Sequence, residues 1–189
     1  GKSRTGLTIF WPDEGLDEGP ILIQKSVEVG PDETLGDVYF KKLFPMGVDA
    51  MMESLDLVKA GVVLKHKQNL ADGSYESWFK KDLAEIDWSK PASDIYNVIR
   101  AANPAPGAWS TIKGAKVDIF DSSKGAGTGK PGEIVSLDDT GMTVAARDGA
   151  ILVKRVRGAD GKKVTAAEWA KNSGVAQGDV FSAPAPKAG

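Results

Sequence analysis

Residues 5–24 read Thr-Gly-Leu-Thr-Ile-Phe-Trp-Pro-Asp-Glu-Gly-Leu-Asp-Glu-Gly-Pro-Ile-Leu-Ile-Gln, two apolar runs parted by a loop that holds four carboxylates, Asp13, Glu14, Asp17 and Glu18, in six positions. Leu7, Ile9 and Trp11 recur at the two-residue period of a strand with one buried face. Ile21, Leu22 and Ile23 form a continuous apolar run, the pattern of a strand buried on both faces. Gly15 and Gly19 let the backbone turn closely between the two. The chain therefore opens on a strand, a tight acidic loop and a second strand, and the fold has to accommodate a cluster of like charges at that turn. Crowded carboxylates are a common preparation for acid–base chemistry. The competing reading is an ordinary solvated acidic hairpin.

Gly30-Pro31-Asp32 breaks the chain after the second strand. Thr34 is placed to cap a helix, with Asp37 in the reciprocal position of a capping box. Leu35, Val38 and Tyr39 begin an apolar stripe, and Pro45 is expected to kink or split the helix. Val48, Met51, Met52 and Leu55 resume the stripe, Val58 lies near its end and Gly61 stops it. The spacing of the methionines is that of core packing. Two strands and a broken helix are not stable alone, so residues 1–62 are expected to need a partner sheet. Residues 63–108 read as a linker and a connecting helix. Tyr75 and Trp78 are candidate anchors in the linker, and Ser93 is the expected cap of a helix carrying Ile95, Tyr96, Val98 and Ile99. The lysine-flanked His66 is expected to be exposed. Residues 109–189 read as short strands, Trp109–Ile112, Lys116–Phe120, Gly132–Leu137, Met142–Ala146 and Ile151–Val156, joined by glycine-containing turns. Five such strands suit a small OB-like barrel. A last helix is expected from Thr165 to Gly174, and the tail Ser182–Gly189 is expected to fray.

Composition excludes several classes. The chain has no cysteine and one histidine. It therefore has no disulfide, no thiolate nucleophile and no thiolate metal site, and no metal is expected. No Gly-x-Ser-x-Gly accompanies the lone histidine, which excludes a serine triad. Gly125-Ala126-Gly127-Thr128-Gly129-Lys130 is followed by Pro131 where a phosphate loop needs serine or threonine, and it reads as a flexible surface loop. No run is long and apolar enough to cross a bilayer, and no secretory pattern opens the chain. These features fit a cytoplasmic protein. Charge is uneven: residues 1–85 hold 10 basic and 15 acidic side chains, residues 86–189 hold 14 and 11. The basic half, with Lys154, Arg155 and Arg157 clustered, offers a contact for a polyanion such as tRNA. A mixed solvated surface is the competing account.

Leu16-Asp17-Glu18-Gly19 followed by Pro20-Ile21-Leu22 resembles the Leu-Asp-x-Gly motif of the 10-formyltetrahydrofolate-dependent formyltransferases. Ile86-Asp87-Trp88, Ile99-Arg100 and Pro104-x-Pro106-Gly107-Ala108-Trp109 resemble the C-terminal domain of the same family, so the likeness spans roughly residues 5–157. The resemblance implies an α/β fragment, the end of a Rossmann-like formyltransferase domain, followed by a small OB-like β-barrel domain. It implies that Asp17 is the catalytic carboxylate of an Asn, His, Asp set. Pro12, Asp13, Glu14, Gly15 and Leu16 would form the loop that faces the folate, with 10-formyltetrahydrofolate as formyl donor. The family's Asn-x-His segment lies upstream of the aspartate loop, and the sequence has no Asn-x-His. The chain is thus expected to be a fragment that lacks an N-terminal catalytic segment and has little activity alone. The implied acceptor is an amine on a tRNA or a nucleotide-linked sugar, or water in formyl hydrolysis. The run Phe10–Asp17 looks closest to the hydrolase branch. The alternative function is a non-catalytic OB-like module that binds RNA or another protein.

Overall fold

The computed structural model describes residues 1–184, so the end of the expected frayed tail lies outside the described residues. The chain divides into two compact units, Gly1–Trp78 and a second from Phe79 onward.

In the first unit β1 (Arg4–Phe10) and β2 (Ile21–Glu28) pair antiparallel, with Arg4 opposite Glu28 and Ile9 opposite Ile23. The register slips between Ile9 and Phe10, just before the acidic loop. Helix α1 (Leu35–Val38) begins with the expected capping box: Thr34 Oγ1 accepts from the Asp37 N–H, and the Asp37 carboxylate accepts from the Thr34 N–H. Pro45 acts as expected on the following turns. Its ring would strike the carbonyl four residues back. The backbone widens into a π turn over Tyr39–Leu43, with the Phe44 N–H reaching Tyr39 O, before α2 (Phe44–Lys59) continues. Helix α2 packs on the hairpin, where Lys25 pairs with Glu53.

The capping box carries a pH dependence. Hydrogen bonds from Lys41 first, and from Thr34 second, hold the Asp37 carboxyl below the usual carboxylate range. A group whose folded pKa is depressed stabilises the fold above its unfolded pKa, and the gain is lost as pH falls below about 4 towards the folded value. The Asp37→Asn variant is expected to melt lower than the unchanged chain at neutral pH. That difference should shrink as the pH drops below about 4; thermal melts followed by circular dichroism across pH 2–7 check it, and a constant difference would contradict it.

Only Leu22, Val38, Ala50 and Ser54 among the larger set of strand and helix residues of this unit are buried, besides Gly19. Met51 and Met52, expected in a core, are exposed instead. With Leu7, Phe44 and Val48 they line an open apolar groove, because the two-stranded sheet covers only one side of α2. Tyr75 and Trp78 do not anchor the following segment either: Trp78 is 86 % exposed.

In the second unit β3 (Ala108–Ile112), β4 (Ala115–Ile119), β9 (Arg155–Arg157) and β10 (Lys163–Thr165) form one antiparallel sheet in the order β10-β9-β4-β3. A second sheet, β5-β8-β7-β6, is built from β5 (Ser122–Gly125), β6 (Ile134–Asp138), β7 (Gly141–Ala145) and β8 (Ala150–Val153). The described ladders are thus two open sheets where the sequence predicts one five-stranded barrel. The expected strand Ile151–Val156 is two strands that change sheets at Lys154, and β4 passes to β5 in the same way through Phe120 and Asp121. Asp121 O accepts from both Lys154 N and Arg155 N and so pins the two corners together. The segment around Phe181 bonds to Gly132 on one side, and Ser182 donates to Thr111 O at 2.7 Å on the other.

Helix α3 (Ala92–Ala101) starts earlier than a Ser93 cap allows. Its first N–H, on Ala92, is satisfied by Asp148 Oδ1 at 2.8 Å, from the β7–β8 turn. Helix α4 (Ala166–Ser173) has the expected ends, Thr165 accepting from Glu168 N and Gly174 at a φ of 67°. The core of this unit contains Val117, Ile119, Ile134, Val144, Ile151 and Val153, and also Ile86, Trp88, Ile95 and Ile99. The glycine-rich segment before β6 lies at the surface, with one close approach: a Cβ on Gly129 would lie 2.7 Å from Val135 Cγ1.

Candidate functional site

The loop between β1 and β2 is built from its base upward. Trp11 N donates to Pro20 O at 3.0 Å and closes the neck. Gly19 lies so close to Trp11 that an added Cβ would sit 1.8 Å from the Trp11 carbonyl oxygen, so only glycine fits there. Asp13 Oδ1 accepts from Gly15 N at 3.0 Å and folds the first half of the loop on itself. Asp17 adopts φ 59°, in the left-handed region that aspartate tolerates better than most residues.

Sequence reasoning missed what holds this loop from outside. An extended segment, Leu64–Gln68, runs along its base and contacts it at every second residue. Leu64 O accepts from Trp11 Nε1 at 2.9 Å. His66 exchanges two backbone hydrogen bonds with Ile21, at 2.8 and 3.0 Å. Gln68 Nε2 donates to Asp17 O at 2.9 Å and to Gly19 O at 2.7 Å. His66 is exposed, as expected, and contributes its backbone rather than its ring. The only available signal was the polar, breaker-free stretch Lys65–Asn69, whose alternation is too weak to read as a strand.

The side chains of Pro12, Asp13, Glu14, Leu16 and Asp17 all face solvent, and Leu16 is 64 % exposed. Asp17 has no imidazole, amide or cation against its carboxylate among the described residues. The loop thus gathers the candidate residues at one edge of the first unit, with the Asp17 carboxylate free to meet a further group. Among the described residues no cluster of three His, Cys, Asp or Glu side chains is arranged to hold a metal.

The basic cluster of the second unit is less available than its sequence indicates. Arg157 forms a bidentate pair with Asp118 Oδ2, at 2.7 and 3.2 Å, and Lys81 holds the other oxygen of the same carboxylate. The nearby rings are covered as well, with Lys116 3.7 Å from the Trp109 centroid and Lys163 3.7 Å from that of Phe120. Arg155 and Lys154 remain exposed. Among the described residues no helix is long and apolar enough to cross a membrane.

Comparison with known proteins adds two family matches. The model described as formyl transferase, C-terminal domain, matches residues 79–174. The model described as formyl transferase matches residues 1–54. The chain is 37 % identical over 184 residues to the cytosolic 10-formyltetrahydrofolate dehydrogenase of Xenopus laevis, covering 92 % of this chain and 20 % of that protein. It is 37 % identical over 171 residues to the methionyl-tRNA formyltransferase of Nitrosospira multiformis, covering 89 % of this chain and 54 % of that one. The chain therefore spans between a fifth and about half of the length of these relatives. HypX from Aquifex aeolicus, solved in complex with tetrahydrofolic acid, shares the fold with a TM-score of 0.69 at 21 % identity, over 89 % of this chain and 30 % of that one.

Proposed function

The chain belongs to the formyl transferase family, and from that premise we propose that it forms part of an enzyme that moves a formyl group from 10-formyltetrahydrofolate to an acceptor, with Asp17 as the catalytic carboxylate. The observation that carries this reading is the loop itself: Asp17 stands exposed in a held, left-handed conformation inside the Leu-Asp-x-Gly motif. Pro12–Leu16 fit a pteridine on chemical grounds. All five are exposed and include one solvent-facing leucine beside polar groups, a combination that a flat, hydrogen-bonding heterocycle pairs with.

Transfer begins when the acceptor's lone pair attacks the formyl carbon to give a tetrahedral oxyanion. One proton leaves the acceptor and another reaches N10 of the departing tetrahydrofolate. Asp17 would orient an imidazole and a water beside that carbon. The imidazole and an amide would come from an Asn-x-His segment on a preceding layer, and the apolar groove of α2 would pack against that layer. The second unit, in this reading, is an OB-like module for the acceptor, either an aminoacylated tRNA or a nucleotide-linked amino sugar. In the hydrolytic branch water takes the acceptor's place.

The test is direct. The full chain as its organism makes it is incubated with 10-formyltetrahydrofolate and, in separate reactions, with buffer alone, methionyl-tRNA or a nucleotide-linked amino sugar, and tetrahydrofolate release is followed by absorbance. Release in any one reaction supports the proposal and identifies the acceptor. No release in all three, from a folded chain, refutes it.

A further inference from the structure

Trp11, Ile21, Asp17 and Gly19 are all fastened to one extended segment, and its last contact falls on the residue proposed to do the chemistry. Leu64 and His66 hold the two feet of the loop through backbone oxygens and nitrogens. Gln68 is different in kind. Its side chain reaches into the loop, and its two N–H bonds bridge the carbonyls of Asp17 and Gly19, one on either side of Glu18. Positive φ carries a cost for any non-glycine residue, less for aspartate than for most, and contacts from the surroundings help to hold it there. Here the φ of Asp17 is 59° and the group bonded to its carbonyl is the Gln68 amide. Rotation of Asp17 back to an ordinary backbone conformation would swing that carbonyl away and break the bond, and would re-aim the carboxylate. Gln68 is half-buried: its bond to Gly19 O is partly shielded, and its bond to Asp17 O lies at the exposed face of the loop.

We propose that Gln68 is a positioning residue: it locks the backbone of Asp17 and thereby sets the direction of the carboxylate. This rests on the assignment of Asp17 as the catalytic group. The bonds from Gln68 fall at positions 17 and 19, whereas the folate-facing half of the loop is tied separately by Asp13 to Gly15. Loss of Gln68 therefore acts on turnover more than on donor binding.

In the full chain, Gln68→Met removes both donors at nearly constant size. It is expected to lower kcat about 10- to 100-fold, since a small misplacement of a reacting group is costly, with the KM for 10-formyltetrahydrofolate held within about threefold. Gln68→Lys, which can still donate, recovers most of kcat. Gln68→Glu, ionised and unable to donate, does not. A Gln68→Met enzyme with kcat within about twofold of the unchanged chain overturns the proposal. So does a loss of kcat that Gln68→Lys fails to recover while the melting temperature falls in parallel, the result of a merely structural role. If Gln68→Met does not fold, the comparison moves to Gln68→Lys against Gln68→Glu, and equal kcat in that pair overturns the proposal. Failure of the underlying reading shows separately. Asp17→Asn with unchanged kcat removes the premise, whereas an inactive Asp17→Asn beside a fully active Gln68→Met removes only the positioning role.

Discussion

Asp17→Asn in the full chain is expected to lower formyl-group turnover by about two to four orders of magnitude while the affinity for tetrahydrofolate changes little. The substitution isolates the charge. Asparagine tolerates the left-handed conformation found at this position, so the backbone at φ 59° is kept. The outside support goes to main-chain oxygens of residues 17 and 19 and is untouched by the change in the side chain. What disappears is the negative charge that would stabilise a protonated imidazole and fix its orientation. Of the carboxylates in the loop, Asp13 is already committed to its own turn through Gly15, which leaves it less free for such a role. Steady-state kinetics give the turnover and calorimetric titration gives the folate affinity. Equal loss of both would make Asp17 a binding residue, and unchanged turnover would remove it from the site.

The parts of this molecule legible in its sequence are those set by local rules. The Thr34–Asp37 capping box, the disruption ahead of Pro45, the Thr165 cap and the Gly174 stop each depend on residues within one or two turns, and each is found. The loop motif at residues 16–19 is equally readable because its glycine answers a close approach within the loop itself. What escaped depends on residues far apart in the chain. Asp148 caps α3 from 56 positions away, where local sequence alone points to Ser93. Gln68 supports Asp17 from 51 positions away. Strands β8 and β9 read as one because Val153 and Val156 are both buried, and only the pairing of each with a different sheet reveals the corner at Lys154. The short strands β5 and β10 carry little apolar alternation, since each runs along an edge. The exposed Met51 and Met52 show the same limit from the other side, because helical spacing defines an apolar face without saying what covers it.

Trp88→Ala is expected to destabilise the second unit by about 3–5 kcal/mol, the cost of removing a large aromatic from a core that cannot fully collapse. Trp88 is 3 % exposed although it precedes every strand of its unit, so it ties the chain entering the unit to the centre of its core. Its ring lies 5.2 Å from that of Phe181, and the segment carrying Phe181 bonds to Gly132 and Thr111. One side chain therefore joins the two ends of the unit across its sheets. The indole also satisfies a buried polar group: Nε1 donates to Ser110 Oγ at 3.0 Å, and Ser110 is itself buried. Truncation to alanine leaves both a cavity and an unpaired hydroxyl, whereas Trp88→Phe keeps the ring contact and loses the donor, for an expected cost of about 1–3 kcal/mol. A unit of this size has a total stability of about 5–15 kcal/mol, so the alanine variant gives up a large share of it. Each kcal/mol corresponds to a fall in melting temperature of about 4–8 °C. Urea unfolding of the full chain, followed by circular dichroism, resolves the order: unchanged chain, then Trp88→Phe, then Trp88→Ala. A loss below about 1 kcal/mol for Trp88→Ala would place the core of the second unit elsewhere, since ordinary surface substitutions cost no more than that.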